Sequence, residues 1–415
     1  MARTSMTMQV LLAAIAATTM LAAPPVDPGA VRKAGMDEAV LQRIPKRMQE
    51  LVDEGVLSGA VTLVQRHGTV ASLEAVGWAD KEAKKPMRAD SIFQIMSMTK
   101  PFVGTSIMML AEEGRLSVAD PVEKHIPEFR GQMVVVKRND DGTVLMKKPV
   151  RPITIFDLMT HSSGLPYGPP TGLKELNQTM DRTLADAVLV YSQTPLEFEP
   201  GTKWSYSNMG IGILGRIIEI RSGMAFEKFL ETRLFQPLGM KDSHIFLPAE
   251  KQARLAAIYK KGPNGLEKTG DDTLGGYSLN FRKGAKYSAP EWGLYTTAQD
   301  LAAFYQMLLS GGNANGKRLI SKSSIDVMTK KQTGDLRAGH MHHTAFGLTW
   351  EVIEDPRGEL AYLSVGSFGH GGAFGTHGWV DPKKDMVGVF LIQMSGVDAG
   401  AKYGFMQMAN AAVIE

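Results

Sequence analysis

The sequence contains no cysteine. That excludes disulfides, thiolate catalysis and cysteine-ligated zinc, and it leaves the compartment open, because a chain without thiols folds equally well in oxidising or reducing surroundings. A surplus of one charge is also missing. Lys and Arg number 46 against 43 Asp and Glu, a net charge of +3, and the basic residues are scattered. Without a concentrated basic patch, a nucleic-acid partner is not expected. Long apolar runs are lacking too. Val10 to Ala17 falls short of the about 20 residues that span a bilayer, and no later segment does better, so no stable membrane span is expected. There is no internal repeat, and no Gly-x-Ser-x-Gly, which argues against an α/β-hydrolase.

What is present is an ordinary globular composition, 44% hydrophobic and 21% charged over 415 residues, long enough to bury a large core. Arg3, the apolar run Val10-Leu11-Leu12-Ala13-Ala14-Ile15-Ala16-Ala17 and the small residues up to Ala22-Ala23 read as a secretory signal peptide over 1–23. The expected location is therefore periplasmic or secreted.

Apolar residues at helical spacing (Val40, Leu41, Ile44, Met48, Leu51) predict a helix from Met36 to Glu54, kinked at Pro45. Ala60 to Gln65 and Val70 to Val76, joined by Arg66-His67-Gly68, predict a hairpin. A helix is expected from Ser97 to Glu113. A second hairpin is expected around Asn139-Asp140-Asp141-Gly142. Helix and loop follow from about Thr154 to Leu247. Ala298 to Leu309 is helical, and Phe346 to Val352, Trp379 to Asp381 and Met386 to Ile392 are strands. Ala401 to Val413 is a closing helix. Strand-rich ends around a helical middle predict an α/β (α+β) fold: an antiparallel sheet flanked by helices, built from both chain ends. Residues 24–96 and 290–415 would form this α/β domain, and 97–289 a mainly helical insertion with a hairpin near 133–150.

The most informative tetrapeptide is Ser97-Met98-Thr99-Lys100. Positions three apart share a helix face, so hydroxyl and amine can meet. A serine is a poor nucleophile until a neighbouring base takes its proton, and a lysine is such a base only if its pKa is lowered towards neutrality. Phe93, Ile95 and Met96 before it, and Pro101-Phe102-Val103 after it, supply an apolar setting that would do so. Two further elements fit the same chemistry. Tyr206-Ser207-Asn208 offers a phenol that can shuttle a proton beside a lysine. His370-Gly371-Gly372-Ala373 offers backbone that can approach a substrate and give an N–H to an oxyanion.

In this order the three motifs resemble those of the class C β-lactamases, the family VIII carboxylesterases and the related D-alanyl-D-alanine peptidases: Ser-x-x-Lys, Tyr-x-Asn, then Lys-Thr-Gly or a variant. The resemblance covers nearly everything from Met36 onward, including Leu158-Met159-Thr160-His161-Ser162-Ser163-Gly164-Leu165 and Gly293-Leu294-Tyr295-Thr296-Thr297-Ala298-Gln299-Asp300-Leu301. It implies Ser97 as acylated nucleophile, Lys100 and Tyr206 as a coupled base, and Asn208, His370, Gly371 and Gly372 as substrate contacts. The N–H groups of Ser97 and Ala373 would form the oxyanion hole, and no cofactor or metal is implied. The substrate would be a small ester, lactam or D-peptide. Where the lactamases carry Lys-Thr-Gly, His370-Gly371-Gly372 lacks both the lysine and the hydroxyl that hold a β-lactam carboxylate. Short-chain esters are therefore expected over lactams, with a β-lactamase, a D-peptidase or a non-turnover penicillin-binding sensor as alternatives.

Three further signals carry less. Gly210-Ile211-Gly212-Ile213-Leu214-Gly215 matches the dinucleotide pattern but follows no strand, so close helix packing is expected. Gly311 to Lys317 nearly matches a phosphate loop, but Arg318 stands where a Ser or Thr belongs. His340-Met341-His342-His343 raises a metallohydrolase, but Thr344 to Leu348 supply no further ligand, and an exposed loop is expected instead. His161 is expected to be structural and hydrogen-bonded.

Overall fold

The computed structural model describes residues 27–169, 181–269, 284–396 and 400–414, together with two short strands at 272–273 and 277–278. The expected leader, 1–23, lies outside them. Eight antiparallel strands form the main sheet: β1 (Gly59–Arg66), β2 (Thr69–Asp80), β3 (Lys85–Pro86), β4 (Thr344–Phe346), β5 (Glu351–Ile353), β6 (Phe368–Gly371), β7 (His377–Asp381) and β8 (Met386–Leu391). Their spatial order is β4-β5-β6-β7-β8-β1-β2-β3. Both ends of the chain thus contribute to one sheet, with β8 against β1 at the join; Val61 faces Leu391 and Val64 faces Gly388.

All of β1 is buried because both of its faces are covered. Val61 and Leu63 point into one apolar cluster, and Ala60 and Val64 into the other. Helices α1 (Arg43–Asp53) and α6 (Gly400–Ala411) pack on the second side, and α5 (Ala298–Leu309) on the first. The β1–β2 turn has His67 at φ 51° and Gly68 at φ 67°, the left-handed pair that suits a two-residue hairpin.

Between the two strand groups lie α2 (Lys100–Glu112), α3 (Leu184–Ser192) and α4 (Asn208–Ser222). Every residue of α2 from Lys100 to Leu110 is buried, so this helix has no solvent face. The hairpin Val134–Arg138 with Val144–Lys147 forms at Asn139–Gly142. A second one, Tyr259–Gly262 with Gly265–Lys268, was not legible in the pattern; it borrows a parallel partner, Met394–Ser395.

Three expectations need correcting. The helix expected over 36–54 is two, Glu38–Leu41 and α1, parted at Gln42. Pro45 has no N–H to bond the Leu41 carbonyl, so the first helix ends at Leu41 and the break falls directly after it. The strand expected over Phe346–Val352 is the tight β4–β5 hairpin. Thr349 takes φ 67° there, which a strand cannot hold, and a Cβ on Gly347 would lie 2.1 Å from the Met328 carbonyl oxygen. The helix expected from Ser97 opens with a 3₁₀ turn, Met96–Thr99, and becomes α-helical only at Lys100. Among the described residues, no helix is long and apolar enough to cross a membrane.

Candidate active site

The 3₁₀ turn has a consequence for the nucleophile. Residues three apart eclipse one another in this geometry, which sets Lys100 directly over Ser97. The lysine Nζ lies 3.0 Å from Ser97 Oγ and donates to the backbone carbonyl of Glu291 at 2.7 Å. Met96, immediately before the serine, is held at φ 51°. For a non-glycine residue that is a strained conformation costing of the order of 1–3 kcal/mol. Surrounding structure pays for it: Ile95 N–H donates to Leu294, Leu294 N–H donates to Thr99 Oγ1 at 3.1 Å, and Tyr295 and Thr296 pair with Gln94 and Phe93. Leu294, Tyr295 and Thr296 thus brace the turn that carries Ser97.

Tyr206 comes from the loop before α4, with Lys100 Nζ 4.8 Å from its ring centre. His161 holds that loop in place. Its carbonyl accepts the Ser205 N–H at 2.9 Å and its Nδ1 accepts the Ser207 N–H at 3.2 Å. Burial keeps His161 uncharged, its pKa well below the usual value, and its ring lies 4.4 Å from that of Tyr206. This is the structural role expected of it. Asn208 opens α4 and is not among the residues that line the cavity; its Oδ1 is buried without a partner among the described residues.

Across from Ser97 runs the end of β6. His370 is 3% exposed. Its Nδ1 lies 2.7 Å from the carbonyl oxygen of Gly371, so that nitrogen carries the proton and Nε2 presents a lone pair. Burial, reinforced by the Lys100 charge, lowers its pKa to about 3. The two glycines differ. A Cβ on Gly371 would meet nothing nearer than His377 Nδ1 at 3.5 Å, whereas one on Gly372 would lie 2.2 Å from both the Ile95 carbonyl and Thr376 Oγ1. Gly372 therefore serves to dock the strand end on the nucleophile segment, and Thr376 Oγ1 ties the same carbonyl at 3.1 Å. The N–H groups of Ser97 and Ala373 donate to no group among the described residues.

Electrostatics separate the two basic groups. Burial lowers the Lys100 pKa to about 7, with the charge of Glu291 opposing it. Burial raises that of the Tyr206 phenol far above its usual value, with a hydrogen bond to Ser97 pulling the other way. A neutral amine is thus accessible near pH 7, and a phenolate is not.

Ser97, Tyr206, His370, Gly371, Gly372 and Ala373 line one cavity of about 560 Å³. It continues between the sheet and α6, where Leu360, Leu363, Trp379, Phe390 and Met406 make its wall apolar and Lys402 adds a cation. The histidine cluster does not converge. The His340 ring stands 4.7 Å from Tyr206 at the cavity mouth, while His342 approaches Arg337 and His343 pairs with Asp355. Among the described residues, no group of three or more His, Asp or Glu could hold a metal ion.

His340 stood out in the sequence only as part of a histidine cluster, and Thr376 and Glu291 were missed. Of those two, only Glu291 left a signal, a charge among apolar neighbours directly before Trp292-Gly293.

The Beta-lactamase family profile matches residues 44–413. An uncharacterized protein of Mycobacterium tuberculosis is 31% identical over 376 residues, spanning 85% of this chain and 91% of its own. Esterase EstB of Burkholderia gladioli is 28% identical over 81% of this chain and 86% of its own. Among solved structures, EstCE1, described as a hydrolase with promiscuous acyltransferase activity, superposes with a TM-score of 0.73 at 23% identity, covering 93% of this chain and 99% of its own. The chain is a member of the beta-lactamase family and a serine hydrolase of that type.

Proposed function

We propose that the protein is a carboxylesterase that acylates Ser97 and releases the acid by hydrolysis. One observation carries this reading: a fully buried lysine with its amine 3.0 Å from the serine hydroxyl and its pKa brought to about 7. In the neutral form Lys100 takes the Ser97 proton as Oγ attacks the ester carbon. The oxyanion is met by the N–H groups of Ser97 and Ala373. Tyr206 stays a phenol and passes the proton to the leaving alkoxide, since its phenolate is disfavoured where it lies. Water then attacks the acyl-enzyme, and the lysine serves as base again.

Substrate preference follows from the opposite wall. A neutral His370, whose Nδ1 proton is taken by the Gly371 carbonyl, gives nothing to a carboxylate, so uncharged esters are favoured over penicillins, cephalosporins and D-Ala-D-Ala peptides. The cavity's size and apolar lining support acyl groups beyond the shortest. The apolar leader at 1–23 supports action in the periplasm or outside the cell.

The test is a panel: p-nitrophenyl acetate, butyrate and octanoate, a chromogenic cephalosporin and a D-Ala-D-Ala peptide, with Ser97→Ala as control. Ester kcat/KM should exceed the others, and Ser97→Ala should abolish it. A cephalosporin or peptide hydrolysed as fast as any ester contradicts the esterase reading. A single burst followed by stalling on every substrate identifies a sensor instead.

A further inference from the structure

Behind Lys100 lies a polar cluster that no motif predicts. Lys100, Glu291, Tyr287 and Tyr191 are each no more than 1% exposed. The Tyr287 hydroxyl donates to Glu291 Oε1 at 2.7 Å and lies 3.2 Å from the hydroxyl of Tyr191. The glycines of α4 make room for this group. A Cβ on Gly212 would press on the Tyr191 ring at 3.1 Å and the Tyr287 hydroxyl at 3.4 Å, and one on Gly215 would lie 2.3 Å from Pro290. The run that matches a dinucleotide pattern is thus the face on which two tyrosines and the loop bearing Glu291 are seated. Burying an acid this deeply is costly unless a cation and hydrogen bonds compensate it, and both are here.

We propose that Glu291 is a positioning residue for acylation: its backbone carbonyl holds the Lys100 amine against Ser97, and its buried carboxylate, fixed by Tyr287, sets how readily that amine gives and takes a proton. This rests on the assignment of Ser97 and Lys100 above. Lys100 faces Ser97 on its own turn, Tyr206 from the loop before α4, and His161, His370 and His340 from three further segments. The three histidines feel its charge and are pushed towards their neutral forms. Glu291 is the acidic group whose charge acts on Lys100, and it works against burial. Burial alone would leave the amine neutral but weakly basic. With the carboxylate's charge acting on it, the lysine is balanced near working pH, where a general base is most effective. Burial raises the carboxyl pKa, and the Tyr287 hydroxyl draws it back towards the ionised form.

The experiment is the pH profile of kcat/KM for p-nitrophenyl butyrate in the full-length chain and in Glu291→Gln and Tyr287→Phe, with fluorophosphonate labelling of Ser97 in parallel. Glu291→Gln removes the charge that raises the Lys100 pKa. The acid limb should therefore move to lower pH, by at most the about 1–3 units that a close opposite charge gives. Tyr287→Phe makes the carboxyl harder to ionise, so its limb should move the same way by less. An unmoved limb in Glu291→Gln, with Ser97 still labelled, overturns the assignment of Glu291 and leaves the nucleophile standing. Failure to label Ser97 in the unmodified protein overturns both. Should Glu291→Gln lose its fold by circular dichroism, Tyr287→Phe decides, and an unmoved limb there is the contradicting result.

Discussion

Along the wall that carries Ser97, three elements are held from behind. Lys100 is pinned by the Glu291 carbonyl, the loop of Tyr206 by His161, and the turn before Ser97 by Leu294 and Thr376. On the facing wall, β6 ends in two glycines and a histidine whose Nε2 is buried without a partner among the described residues. One wall is built to fix reacting atoms, the other to leave space. The difference explains why chemistry is easier to read here than substrate choice: proton transfer needs particular side chains at particular spacings, whereas an opening is made of side chains that are absent.

The sharpest way to break the nucleophile wall is Lys100→Arg. It keeps the charge but cannot accept a proton at working pH. We expect kcat/KM to fall at least ~10²-fold, the low end for loss of a general base, with Ser97→Ala lower still. An arginine variant within a few-fold of the parent would show that the charge alone matters.

The two glycines test the facing wall by stability. Gly372→Ala drives a methyl into the Ile95 carbonyl and Thr376 and should cost about 1–3 kcal/mol, the range for overpacking. Gly371→Ala meets only ordinary contacts and should leave the urea midpoint nearly unchanged. Equal midpoints would mean that Gly372 does not dock the strand end.

The double change His370→Lys with Gly371→Thr should restore a carboxylate contact. A charge-assisted hydrogen bond of about 1.5–3 kcal/mol corresponds to about one to two powers of ten if made chiefly in the transition state. The ratio of cephalosporin to ester kcat/KM should rise by up to that amount. An unchanged ratio would show that recognition bypasses this triplet.

The smallest effect is in the pH profile of the unmodified protein. Lys100 must be neutral to accept the serine proton, and its pKa is lowered by burial to about 7. Ester kcat/KM should therefore rise with pH through about 7 and level off above it. His370, with its pKa near 3, should contribute no limb between pH 5 and 9. A second limb near pH 6 would show an imidazole titrating in the site.

Ser97 and Lys100 stood out because a spacing of three sets them on one helix face; Tyr206 and the His370 triplet stood out only through resemblance to the order of the family's motifs. The sheet from both ends was legible from strand-like runs such as Ala60–Gln65 and Met386–Ile392. The breaks were not. Thr349 at φ 67° and Met96 at φ 51° are imposed by packing from distant segments, and nothing in their own residue types favours those angles. Glu291 acts from a position outside any local pattern, 191 residues from Lys100, and nothing in the histidine cluster pointed to the place of His340 beside Tyr206. Gly372 was read as a substrate approach; its steric partner is Ile95, which only the folded chain reveals.

The central claim is that acyl groups pass through Ser97. Rapid mixing of the protein with p-nitrophenyl butyrate, acid quenching within one turnover and peptide mass spectrometry test it most directly. A butyryl mass on the peptide containing Ser97, appearing with the burst of nitrophenol and absent in Ser97→Ala, is the predicted result. A burst with the butyryl group on another residue, or turnover that persists in Ser97→Ala, would contradict it.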